Sequence, residues 1–228
     1  MADLQTVVGR VKRAIASADA APDHALPTIA RASEEYVYAE HASRFASELE
    51  AVAGRMIGPI EPQDLAYTIV ATVRERGAMS VAIGDGVALN LEPAAHALEN
   101  AGITVIRTRP VDSETRTALR EQLAHVDAGV AEADFAIAST GTLAVFSQEG
   151  RPSALTLLPP ASILVVRIDR MKADMAAALE AIGPTALGAN RLTLITGPSR
   201  TADIEKRIVM GVHGPKSLDV IVVWPRND

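Results

Sequence analysis

Apolar residues recur along the chain in two rhythms. Leu4, Val7, Val8, Val11 and Ile15 fall on one helical face, with Asp3 in position to cap it. Asp19 to Pro27 is rich in helix breakers. Tyr38, Ala42, Phe45, Leu49 and Val52 then step by four and three, which predicts a second helix with a packing stripe. From about residue 50 short apolar runs alternate with amphipathic stretches. Glu61-Pro62 opens a helix that carries Leu65, Ala66, Ile69, Val70 and Val73 and stops at Gly77. Strand Ser80–Ile83, helix Pro93–Asn100, strand Ile103–Arg107 and helix Ser113–His125 follow.

This alternation predicts an α/β fold: a Rossmann-like, mainly parallel sheet with helices on both faces. Residues 1–49 read as an N-terminal helical arm and residues 50–228 as the α/β domain. The rhythm breaks at Asp134–Ser139 and Thr142–Phe146, two strand-like runs separated only by Thr140-Gly141, which implies a turn or a bent strand. A third run, Ile163–Ile168, leads to a helix over Met171–Ile182, with Met171, Met175, Leu179 and Ile182 on its buried face, ended by Gly183-Pro184. Strands Leu192–Thr196 and Val220–Val223 enclose a polar segment, Gly197–Ser217. Loops after the carboxyl ends of parallel strands are where such sheets place ligands.

Composition narrows the chemistry. The 228 residues contain 48% hydrophobic and 22% charged residues, as an ordinary globular domain does. A net charge of −6 and only 3% aromatics argue against duplex or single-stranded nucleic acid as partner. With no cysteine, thiolate-held zinc, an iron–sulfur cluster held by this chain and a thiol nucleophile are all excluded. No two of the five histidines stand at a ligand spacing, so no metal site is expected. Neither a signal peptide nor an apolar run of the ~20 residues needed for a membrane span is visible, and the expected location is cytoplasmic.

Four constellations can carry chemistry. Ser139-Thr140-Gly141-Thr142 gathers hydroxyls around a glycine, either as a turn or as donors to an anion. In Gly197-Pro198-Ser199-Arg200-Thr201-Ala202-Asp203, a strand ends and Ser199 or Thr201 is placed to cap a short helix through Val209. Backbone N–H groups and the Arg200 fork then converge on an anion, or Arg200 pairs with Asp203 or Glu205. His213, bracketed by Gly211 and Gly214, is the candidate general acid–base. Ser147-Gln148-Glu149-Gly150-Arg151 reads as an exposed turn.

Asp134–Leu143, Leu157-Leu158-Pro159 and Ile163–Val166 resemble the central signature of the lactate-utilization protein C family, characterised by the LUD domain. Thr196–Glu205 and Gly211–Pro215 resemble its second signature. The resemblance implies a fold similar to that of ribose-phosphate isomerases, glucosamine-phosphate deaminases and CoA-transferases. It implies a non-redox subunit of an L-lactate oxidation system, with iron–sulfur clusters only in partner proteins and no cofactor on this chain. The family's shared positions fall on Thr140, Gly141, Thr142, Gly197, Pro198, Ser199, Arg200, Asp203, Ile204, His213 and Gly214. Of these, Thr140, Gly141, Thr142, Gly197, Ser199, Arg200, Asp203 and Gly214, together with Thr201, are expected to bind a small anionic metabolite, with His213 catalytic. Ser139 and Ser162 depart from the family, where an acid and a histidine are common. Two alternatives stand beside this reading: an independent phosphosugar- or acyl-CoA-processing enzyme, and a non-catalytic assembly or regulatory subunit.

Overall fold

The computed structural model describes residues 34–86, 88–108, 113–185, 189, 191–202, 208–210 and 214–225. The helix predicted at Leu4–Ile15 and the breaker-rich link lie outside them, as do Asp203, Ile204, Glu205 and His213.

The elements in chain order are α1 (Glu34–Ala51), β1 (Arg55–Ile60), α2 (Leu65–Glu75), β2 (Ser80–Gly84), α3 (Glu92–Asn100), β3 (Thr104–Thr108) and α4 (Ser113–His125). Then come β4 (Ala128–Glu132), β5 (Phe135–Ile137), β6 (Thr142–Ser147), α5 (Ala154–Leu157), β7 (Ala161–Arg167) and β8 (Met171–Lys172). The last elements are α6 (Met175–Thr185), β9 (Arg191–Thr196), β10 (Arg200–Ala202), β11 (Ile208–Met210) and β12 (Ser217–Val223).

The main sheet has six strands in the order β1-β12-β7-β4-β2-β3, all parallel. Its four inner strands are buried on both faces, while the edge strands β1 and β3 are only partly covered, and period-two alternation sorts their side chains. Ile163, Val165, Ile221 and Val223 meet Leu65, Ile69 and Val73 of α2 and Ala94, Ala95 and Leu98 of α3. Leu164, Val166, Val220 and Val222 point the other way, toward Phe45 and Leu49 of α1 and Leu119 and Leu123 of α4. The α/β expectation is met.

A smaller four-stranded sheet, β8-β5-β6-β9, accounts for the broken rhythm in the middle of the sequence. β5 and β6 form an antiparallel hairpin, and β9 pairs antiparallel with β6. Leu143, Val145 and Met171 join α1 in the larger core, while Phe135, Ala144 and Phe146 pack against Ile182 of α6.

Three local expectations change. Leu192–Thr196 is an edge strand of the small sheet and not a strand of the main one. The helix expected from Ser199 through Val209 is absent at both described ends: Arg200–Ala202 pairs antiparallel with Ile208–Met210. The β-branched Thr201, Ile208 and Val209 suit a ladder, and cross-strand pairing overrides the local capping signal. Met171 belongs to a two-residue strand, and Leu179, expected on the buried face of the helix, is 51% exposed.

Candidate functional site

The order in which strands are added to the main sheet reverses between β2 and β4. From β2 the chain crosses to β3 on one side, then returns to place β4 on the other. A crevice outside the carboxyl ends of strands at such a switch point is the favoured ligand position in open α/β sheets. Here Gly84, Thr108 and Glu132 end β2, β3 and β4.

The turn Ser147–Arg151 is stitched onto this edge. The Gly150 carbonyl accepts the Thr108 hydroxyl at 2.6 Å and the Asp85 N–H at 3.2 Å. Arg151, 2% exposed, donates to both Asp134 carboxylate oxygens at 3.0 and 2.9 Å and to the Phe146 carbonyl at 3.0 Å. Buried Glu132 accepts N–H bonds from Ala88 at 3.0 and 3.1 Å and from Leu89 at 3.1 Å, holding the loop after β2. An exposed-turn reading of Ser147–Arg151 is therefore only half right: Gln148 and Glu149 are exposed, and Gly150 and Arg151 are buried.

Beside the turn opens a cleft of about 820 Å³. Helix α4 contributes Arg116, Leu119, Arg120 and Leu123, an i, i+3, i+4, i+7 stripe on one face. Leu157 and Leu158, both more than a third exposed, add to its apolar lining, and Arg191 at the start of β9 adds a third cation. Among the described residues, Arg116, Arg120 and Arg191 have no carboxylate partner, as is true of the exposed Arg44, Arg74, Arg170 and Arg200, while Arg55, Arg76, Arg107, Arg151 and Arg167 are paired. What sets the three apart is that they line one cleft. Among the described residues, Glu149 is the one acid in the lining. The arrangement can hold an anion against an apolar surface.

The sequence-predicted residues fall into two groups. Thr142 faces Thr196 across β6 and β9, and their hydroxyls meet at 2.8 Å. Thr140 donates to the Thr142 hydroxyl at 2.8 Å. Gly141 and Gly197 let helix α1 close on this ladder: an added Cβ would lie 2.5 Å from the Leu49 nitrogen and 2.7 Å from the Val52 carbonyl oxygen, respectively. In the second group, the Ser199 N–H donates to the Pro215 carbonyl at 2.9 Å. A Cβ on Gly214 would stand 3.1 Å from Ser199 Cβ and 3.8 Å from the carbonyl oxygen of Leu157, a cleft residue. Pro198 is buried and Arg200 is exposed on β10; the Thr201 side chain, Asp203 and His213 lie outside the described residues.

The arginine stripe of α4 was legible as spacing but carries no motif, and its meeting with Arg191 is long-range. Among the described residues no group of histidine, aspartate and glutamate side chains could hold a metal ion, and no helix is long and apolar enough to cross a membrane.

A family model described as the LUD domain matches residues 42–223. The chain belongs to the LUD domain family. The matched span of the LUD domain takes in the cleft and both signatures, and it begins at Ala42 within α1. Lactate utilization protein C of Deinococcus radiodurans is 34% identical over 162 residues, covering 69% of this chain and 73% of that protein. An uncharacterized protein of Neisseria meningitidis serogroup B is 34% identical over 115 residues. That alignment spans about half of each chain, 50% of this one and 49% of the relative. A crystal structure of a DUF162 family protein from Deinococcus radiodurans superposes with a TM-score of 0.61 at 24% identity, covering 82% of this chain and 98% of the other. That likeness shows the LUD fold.

Proposed function

We propose that this chain is a non-redox component of L-lactate utilization and that it binds an anionic metabolite in the cleft at the carboxyl edge of the main sheet. The observation that carries the reading is the cleft itself, with Arg116, Arg120 and Arg191 around it and no carboxylate partner for them among the described residues. Membership of the LUD family and relatives called lactate utilization protein C support the pathway. These 228 residues contain no cysteine and cannot hold a thiolate-ligated cluster, and this reading assigns such clusters to partner proteins. Iron–sulfur proteins of the same system are the partners this reading requires.

Gly214, which lies beside Ser199, adjoins the carbonyl of Leu157, a residue that lines the cleft. We assign Arg200, the sequence neighbour of Ser199, as a further anion ligand, and we give His213 the role of general acid–base. The Thr140–Thr142–Thr196 ladder is assigned to holding β6, β9 and α1 together, since its hydroxyls already bond one another.

Reconstitution of lactate oxidation with the iron–sulfur partners tests this. Omitting the chain should abolish turnover, and Arg120→Gln should lower it at least tenfold while the variant still co-purifies with the partners. Full oxidation without the chain overturns the proposal. Dependence on the chain with no effect of Arg120→Gln overturns the site and leaves an assembly role.

A further inference from the structure

The size and lining of the cleft identify the class of its ligand more closely than lactate does. Clefts of ~300–1,000 Å³ take drug-sized molecules, and this one, at about 820 Å³, lies high in that range. A three-carbon acid would leave most of it to water. Two features of the lining must be explained together.

The first is charge. Arg116 and Arg120 stand one helical turn apart on α4, where like charges repel, and Arg191 arrives from β9. The chain is at −6 overall, yet among the described residues Glu149 is the one acid in the lining. A second hollow at the same sheet edge makes the contrast. There Arg107 is locked by Glu92 at 2.8 Å and Glu99 at 2.6 Å, and Asp85 adds another acid. That hollow repels anions; the cleft attracts them, and three guanidinium forks exceed what one carboxylate can satisfy. The second feature is apolar surface. Leu157 and Leu158 are 38% and 37% exposed, on the segment facing the Arg–Leu stripe of α4. Exposed leucines side by side in a concave site lose contact with water when an apolar group covers them.

We infer that the cleft binds an organic phosphate carrying an apolar body, with the phosphate at Arg116, Arg120 and Arg191 and the body against Leu157 and Leu158. The inference rests on the cleft being the anion site, and goes beyond it in ligand class. It makes lactate itself a poor ligand of this chain. The chain's part in lactate utilization then lies in sensing or handling a larger phosphorylated molecule.

Fluorescence titration of the full chain with 1-naphthyl phosphate tests this, with inorganic phosphate, 1-naphthol and L-lactate as competitors. Naphthyl phosphate should bind at least tenfold more tightly than any of the three. Arg116→Gln and Arg120→Gln should each weaken it at least fivefold. Leu158→Ser should weaken naphthyl phosphate but leave inorganic phosphate unchanged. Arg44→Gln, an exposed arginine on α1, serves as the control and should change nothing. Lactate or inorganic phosphate binding as tightly as naphthyl phosphate, with the same arginine dependence, overturns the ligand class and leaves the cleft an anion site. Anion binding indifferent to both arginine variants overturns the site as well.

Discussion

Thr108 donates its hydroxyl to the Gly150 carbonyl at 2.6 Å, which ties the carboxyl end of β3 to the turn at the cleft. The same carbonyl takes the Asp85 N–H from the end of β2, so one acceptor serves two strand ends through its two lone pairs. Thr108 is fully buried, and Thr108→Val preserves its shape while removing the donor. The loss should be about 1–2 kcal/mol by urea denaturation. Affinity for anions in the cleft should fall as well, because Gly150 is part of the lining. A variant unchanged in both respects would show that Asp85 alone holds the turn.

The Arg151–Asp134 pair is a costly place to remove one partner. Their side chains are 2% and 9% exposed, and Asp134 also accepts the Phe146 N–H at 2.8 Å. Asp134→Ala leaves a guanidinium buried with no counter-charge, and a cost of roughly 3–5 kcal/mol is expected. Arg151→Met combined with Asp134→Ala should cost less than the sum of the single changes, because no charge is then left buried alone. Strict additivity in the double-mutant cycle would mean that the two residues do not act as a pair.

Gly141 and Gly77 separate backbone strain from steric closure. Both have positive φ, +60° and +66°. Around Gly77 nothing stands within 4 Å of an added Cβ, whereas at Gly141 the Cβ would meet the backbone of α1 at 2.5 Å. Gly77→Ala should therefore cost ~1–2 kcal/mol from the left-handed conformation alone. Gly141→Ala should cost clearly more, since α1 must also move. Equal midpoint shifts in denaturant would mean that α1 does not depend on this close approach.

Much of the fold follows from local pattern, and the failures are physical. Helix Ser113–His125 and the core of Ser80–Gly84 are legible because their periodicities are clean. β1, Arg-Met-Ile-Gly-Pro-Ile, hides behind an internal Gly-Pro. β4, Ala-Gly-Val-Ala-Glu, is too small-sided to read as a strand, although it sits at the centre of the main sheet. Its Gly129 is small for a packing reason: a Cβ there would collide with the Leu155 carbonyl oxygen. At the candidate site, hydroxyl-rich turns attract attention in a sequence, yet Thr140 and Thr142 bond to each other and to Thr196. The arginines of α4 look like an ordinary solvated helix face. Only tertiary folding brings Arg191 and the leucines of residues 157–158 to them.

The start of β2 carries a pH-sensitive clasp. The Asp127 carboxylate accepts the Ser80 hydroxyl at 2.8 Å and the N–H groups of Met79 and Ser80, both at 2.9 Å. The Ser80 hydroxyl, with the Met79 amide next, holds the Asp127 carboxyl below its ordinary value of 3.8. A depressed carboxyl pKa stabilises the fold above the unfolded-state value, and that contribution is lost as pH falls through the folded-state value. Asp127→Asn cannot titrate, so it lacks this contribution at every pH. The denaturant midpoint of the wild type should exceed that of Asp127→Asn by a constant amount down to about pH 5, and the gap should narrow below about pH 4. Glu99, held low chiefly by its hydrogen bond from Arg107, titrates in both proteins and drops out of the difference. A gap that stays constant to about pH 3, or widens as acid is added, would show that the clasp contributes nothing to acid sensitivity.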